Sequence, residues 1–182
     1  MSLWLPIILS AVFVFIASSL IHMVLKYHNK DFKKLPNEEK IMEAMRPFAP
    51  PPGDYMMPHG GGMEAMKDPA FVDKLTKGPV AIMTVLPSGR FSMKKSLSLW
   101  FIYTVVVSIF AAYVAGRALP PGSPYLAVHR FAGVAAFLGY TLALWQDSIW
   151  HGRSWGSTAR ITLDGLIYGF VTGGTFGWLW PR

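Results

Sequence analysis

The chain has 182 residues, 52% of them hydrophobic and only 15% charged, with no cysteine and a formal net charge of +7. That balance is poor for a soluble domain and ordinary for a small polytopic membrane protein built as one domain. Without thiols there are no disulfides, zinc–thiolate sites, iron–sulfur clusters or cysteine nucleophiles. No nucleic-acid motif accompanies the basic charge, so a nucleic-acid partner is not expected and membrane orientation explains it better.

Taken in order, the first apolar run is WLPIILSAVFVFIASSLIHMVL, beginning at Trp4. It is long enough to cross a bilayer, which takes ~20 residues. It carries neither the basic flank nor the small-residue cleavage site of a signal peptide, so it is expected to be retained. Pro6 falls in the first turn, where proline costs a helix little. Ser18, His22 and Lys26 share one face at four-residue spacing. Lys26, Tyr27, His28, Lys30, Lys33 and Lys34 then mark an interface.

Residues 27–96 read as a hydrophilic insertion. Asn37, followed by Glu38 and Glu39, starts a short helix that runs to about Arg46. Asp68-Pro69 opens a second short helix that Gly78 closes. Between them, PFAPPPGDYMMPHGGG is rich in breakers and is expected to hold no regular element. VAIMTVL, between Pro79 and Pro87, is either a strand or a segment lying at the interface.

Three more spans follow, at about 97–116, 126–146 and 161–180. The loops between them are short, so each packs back on its predecessor. Thr104, Ser108, Ala112 and Gly116 form a small-residue seam on the second, and Ala132, Ala136, Gly139 and Ala143 on the third. The fourth carries Gly165, Gly169, Gly173 and Gly177 on one stripe. In water such a stripe costs roughly 1 kcal/mol per glycine, but in a bilayer it becomes a flat groove for close helix packing. The expected fold is an all-α integral membrane protein of four transmembrane helices, the first at about 4–26.

Charge flanking the spans sets the expected topology. Lys26, Lys30, Lys33, Lys34, Arg90, Lys94 and Lys95 border the insertion, and Arg153 and Arg160 lie in the loop on the same side. Only Arg117, Arg130 and Arg182 lie opposite. Both termini are therefore expected outside and the insertion in the cytoplasm, in a membrane of the bacterial inner type. Trp100, Trp145, Trp150, Trp155, Trp178 and Trp180 near span ends suit an aromatic belt.

Candidate chemistry falls into two places. His22, Asp147, His151 and Asp164 lie near one membrane boundary, and carboxylates with imidazoles at that depth suit a divalent metal or a proton relay. The competing reading has Asp164 capping a helix start or pairing with Arg160 at i, i+4. The second place is the loop carrying Met56, Met57, His59, Met63 and Met66, a thioether and imidazole set that favours Cu(I). There, methionine as a flexible gap-filler is the alternative. His129 stands without a second histidine at its depth for a haem. No nucleophile elbow, zinc-peptidase, P-loop or dinucleotide pattern is present.

The expected function is non-enzymatic: an accessory or structural subunit of a membrane complex, or a homo-oligomer, packed through the glycine stripes. The alternative is a small metal- or proton-handling membrane protein. Expected partners are the lipid bilayer and other membrane subunits or further copies of the chain.

Overall fold

A computed structural model describes residues 2–90 and 92–182. The chain is mostly helical and divides into two compact units, one made of Met1–Lys33 with Ser92–Arg182, the other of Lys34–Phe91.

The first unit holds four long helices, α1 (Trp4–Leu20), α4 (Met93–Ala118), α5 (Tyr125–Thr141) and α7 (Trp155–Trp178), and the short α6 (Trp145–Trp150). Among the described residues, three segments are long and apolar enough to cross a membrane. They are Trp4–Leu25, Met93–Ala118 and Tyr125–Trp150, with mean hydropathies of 2.4, 2.0 and 1.3. The expected fourth span forms a helix of 24 residues that begins at Trp155, earlier than 161. It is not among the three, because glycine, threonine and Asp164 replace large apolar residues along it. The third segment changes its winding after Thr141, passing through a tighter turn at Leu142–Leu144 into α6.

Polarity runs from a mixed interior to an apolar exterior. Ser10, Thr104, Ser108, Ser157, Thr158 and Thr172 are buried, whereas Ile16, Ile102, Phe110, Leu126, Val134 and Phe170 are exposed. A water-soluble bundle reverses this arrangement. The buried hydroxyls join helices: Ser10 Oγ lies 3.0 Å from Ser108 Oγ, and Trp100 Nε1 donates to Ser18 Oγ at 2.8 Å.

Helices α5 and α7 meet backbone to backbone. A Cβ added at Gly133 would fall 3.0 Å from the Gly169 carbonyl oxygen, and one at Gly169 would fall 2.9 Å from that of Gly133. At Gly173 it would lie 2.6 Å from the His129 carbonyl oxygen, and at Gly177 2.6 Å from the Tyr125 ring. At Gly165 it would overlap Thr141 Oγ1. The whole α7 stripe is thus covered by α5 of the same chain. Close approach of this kind gains dispersion contact that a bilayer does not otherwise supply.

In the second unit, α2 (Glu38–Met45) and α3 (Pro69–Lys77) accompany a hairpin of β1 (Gly53–Met57) and β2 (Ala81–Val85). Asp68 caps α3 by accepting from the Ala70 N–H at 2.9 Å, with Pro69 in the first turn. The strands are antiparallel, with Tyr55 opposite Met83. Strand β1 corrects the expectation that the breaker-rich segment holds no regular element. Gly53–Met57 keeps free amide donors between its prolines, and its partner lies far along the chain, beyond the reach of local composition. None of the described residues of this unit is buried.

Candidate functional site

The chain leaves the first apolar segment in an unusual way. After α1 the winding loosens over Ile21–Leu25, and Lys26 takes the left-handed conformation at φ 52°. A non-glycine residue there marks a deliberate stop. One tight turn, Tyr27–Lys30, then folds the chain back onto α7. The reversal brings Tyr27, His28 and Asp31 to a helix they are far from in sequence.

His28 is the centre of the resulting junction. Its Nδ1 lies 2.6 Å from Asp31 Oδ2 and its Nε2 2.7 Å from Asp164 Oδ2. Each ring nitrogen of His28 thus faces a carboxylate oxygen, and an imidazole N–H is the donor such an oxygen accepts from. Tyr27 donates its hydroxyl to Asp164 Oδ1. Burial, then the hydrogen bond to Asp164 and the charge of that carboxylate, push the Tyr27 phenol above its usual pKa, so it stays a neutral donor.

Asp31 is held from the other side by α7. Ser157 Oγ donates to its Oδ1 at 2.9 Å, and Arg160 donates from Nε at 2.8 Å and also from its terminal nitrogen. Burial raises the carboxyl's pKa, but the hydrogen bonds from His28, Arg160 and Ser157 and the guanidinium charge outweigh it, holding Asp31 at about 2. The Asp31 carboxylate therefore has a guanidinium and further hydrogen bonds as partners, the condition under which buried charge is tolerable. The side chains of Asp31 and Asp164 are both only 6% exposed.

His22 joins from the end of the first segment. Its ring stacks on that of His28 with centroids 4.6 Å apart and planes 1° from parallel. Its Nδ1 lies 2.9 Å from the Ser18 carbonyl oxygen, which makes that nitrogen the donor. Ligand-capable atoms of His22, His28 and Asp164 all fall within 4.8 Å of one another.

Of the polar residues expected near one boundary, the structure brings His22 and Asp164 together. Asp147 and His151 form a separate exposed pair at 3.2 Å, with Arg153 3.8 Å from Asp147. Arg160 pairs with Asp31, not with Asp164 one turn away. His28, Tyr27 and Asp31 were not visible as site residues. Their signal depends on a left-handed residue and a reversal, and no helical periodicity carries it.

In the Met/His loop, Met56 and Met57 are adjacent in β1 and so face opposite sides of the hairpin. Met63 and Met66 belong to the tight turn Met63–Lys67, and His59 is exposed. His129 packs between the rings of Tyr125 and Phe170, its Nδ1 buried without a hydrogen-bond partner among the described residues.

Comparison with protein-family models, with curated proteins and with solved structures gave no match.

Proposed function

We propose that this chain is an integral membrane protein of four spanning helices with no enzymatic role, serving as an accessory or structural subunit of a membrane assembly. The observation that carries the membrane reading is the apolar exterior around an interior of serine, threonine and glycine. Only a solvent that is itself apolar favours that distribution. Helix α7 counts as the fourth span in this reading because its polar and glycine positions are turned into the bundle. Its less exposed, poorly apolar face therefore costs nothing against lipid.

Because α5 covers the α7 stripe, assembly with other subunits or further copies uses the outer apolar faces of the bundle. Flanking charge supports a reading in which both termini lie outside and the insertion, residues 27–96, lies in the cytoplasm of a bacterial cell. Reporter fusions at residue 60 and after Arg182 test this. Opposite sides are expected, and reporters on one side would remove the four-span reading. Extraction from membranes by carbonate would remove the integral reading altogether.

A further inference from the structure

We propose that His22, His28 and Asp164 bind one divalent first-row metal ion where the first segment meets α7. The proposal does not depend on the subunit role, since every ligand comes from one chain.

Both histidines are prepared in the same way. His22 commits Nδ1 to the Ser18 carbonyl at 2.9 Å, and His28 commits Nδ1 to Asp31 at 2.6 Å. Each therefore offers Nε2, and a carboxylate or carbonyl on the remote nitrogen is the outer shell that metal-binding histidines use. The outer shell is itself anchored, because Ser157 and Arg160 hold Asp31. Nothing in a purely structural junction requires His22, which has no hydrogen bond to either carboxylate, to stack over His28 with a ring nitrogen within 4.8 Å of the ligand atoms of His28 and Asp164.

The geometry selects the class of ion. His28 Nε2 and Asp164 Oδ2 are 2.7 Å apart. With metal–ligand bonds of about 2.1 Å, that pair subtends roughly 80°, close to the right angle of an octahedral site. A tetrahedral ion needs the pair to open by about 0.7 Å at the same bond lengths. Two imidazole nitrogens and one carboxylate suit Zn²⁺, Fe²⁺, Co²⁺ or Mn²⁺, and contain no sulfur for Cu(I). Ca²⁺ and Mg²⁺ prefer oxygen throughout. His22 is exposed while Asp164 is buried, which gives the ion a route in from one side.

Binding is a simple exchange. The ion replaces the Nε2 proton that links His28 to Asp164, and that proton leaves to bulk water. His28 keeps its Nδ1–H on Asp31, Tyr27 keeps its bond to the other Asp164 oxygen, and no electron is transferred.

The test uses the full chain, purified in detergent, stripped by a chelator and titrated with Co²⁺ while the visible d–d absorption is followed. One saturable ion per chain, displaced by Zn²⁺, is expected. His22→Gln should weaken Co²⁺ about tenfold or more, and it should fold normally because His22 is exposed and bonded only to the Ser18 carbonyl. His59→Ala should leave the titration unchanged. The proposal is overturned by a wild-type chain with no saturable Co²⁺ band, by a folded His22→Gln variant of unchanged affinity, or by loss of binding in His59→Ala. Asp164→Asn gives a second check wherever circular dichroism shows it folded, again with weakening expected and unchanged affinity counting against the site.

Discussion

His28 Nε2 lies 2.7 Å from Asp164 Oδ2, across a sequence separation of 136 residues. This contact ties the turn after the first segment to the last helix, and Asp31 and Tyr27 reinforce it on either side. The two residues should therefore be coupled energetically. In chelator, where no ion contributes, the cycle His28→Gln, Asp164→Asn and the double variant should give a coupling of about 2 kcal/mol. Thermal or denaturant unfolding in detergent measures it. Additive single losses would mean that each residue is held by its other partners and that the contact itself adds nothing.

The glycines of α7 are not equivalent. A Cβ at Gly173 meets the His129 carbonyl at 2.6 Å, whereas one at Gly174 finds only the Tyr125 hydroxyl at 3.5 Å. Backbone cannot retreat as a side-chain end can. Gly173→Ala should thus cost roughly 1–3 kcal/mol through overpacking. Gly174→Ala should be neutral or add up to about 1 kcal/mol, the helix-propensity gain. Folded yield and melting temperature of the two variants, prepared side by side, decide it. Similar behaviour would remove α5–α7 contact as the reason for the stripe.

Control positions on the outer face of α7 need the structure. Val171 is half-buried against the interior cluster that contains Tyr140 and Tyr168, and Phe170 is the exposed neighbour. Phe170→Leu should accordingly change stability by no more than about 1 kcal/mol, the loss of its ring contact with His129 included. A large loss would show that the outer face of α7 is covered in the folded protein.

The long helices were legible because apolar runs of spanning length need no knowledge of neighbours. The glycine stripe was legible too, since a period of four projects directly onto a helix face. Its use was not, because which helix fills a groove depends on packing between distant segments. Asp164 and His22 stood out as ionisable groups in apolar runs. Their partners did not, since Tyr27, His28 and Asp31 reach them only after the left-handed turn at Lys26. The i, i+4 rule pointed Arg160 at Asp164, and tertiary contact with Asp31 overrode it. Strand β1 was hidden by its flanking prolines for a similar reason, as its partner β2 is far along the chain.

Asp31 makes a pH prediction whose sign can be worked through. Its folded value of about 2 lies below its ordinary 3.8. The unfolded chain therefore binds the proton first, and folding favours the ionised form. The stabilisation is fully present above pH ~4 and disappears as the pH falls from there through ~2. Its full size is about 2 kcal/mol, because each pKa unit corresponds to roughly 1.4 kcal/mol. Unfolding of the detergent-solubilised chain should be followed at intervals between pH 5 and pH 2, for wild type and for Asp31→Asn. The variant should be less stable at pH 5, and the gap should shrink by about 2 kcal/mol as the pH is lowered. Other carboxylates titrate in the same window, but they contribute to both chains and cancel in the difference. A gap that stays constant from pH 5 to pH 2 would mean that Asp31 is not held ionised by His28, Ser157 and Arg160, and the junction would lose its anchor on α7.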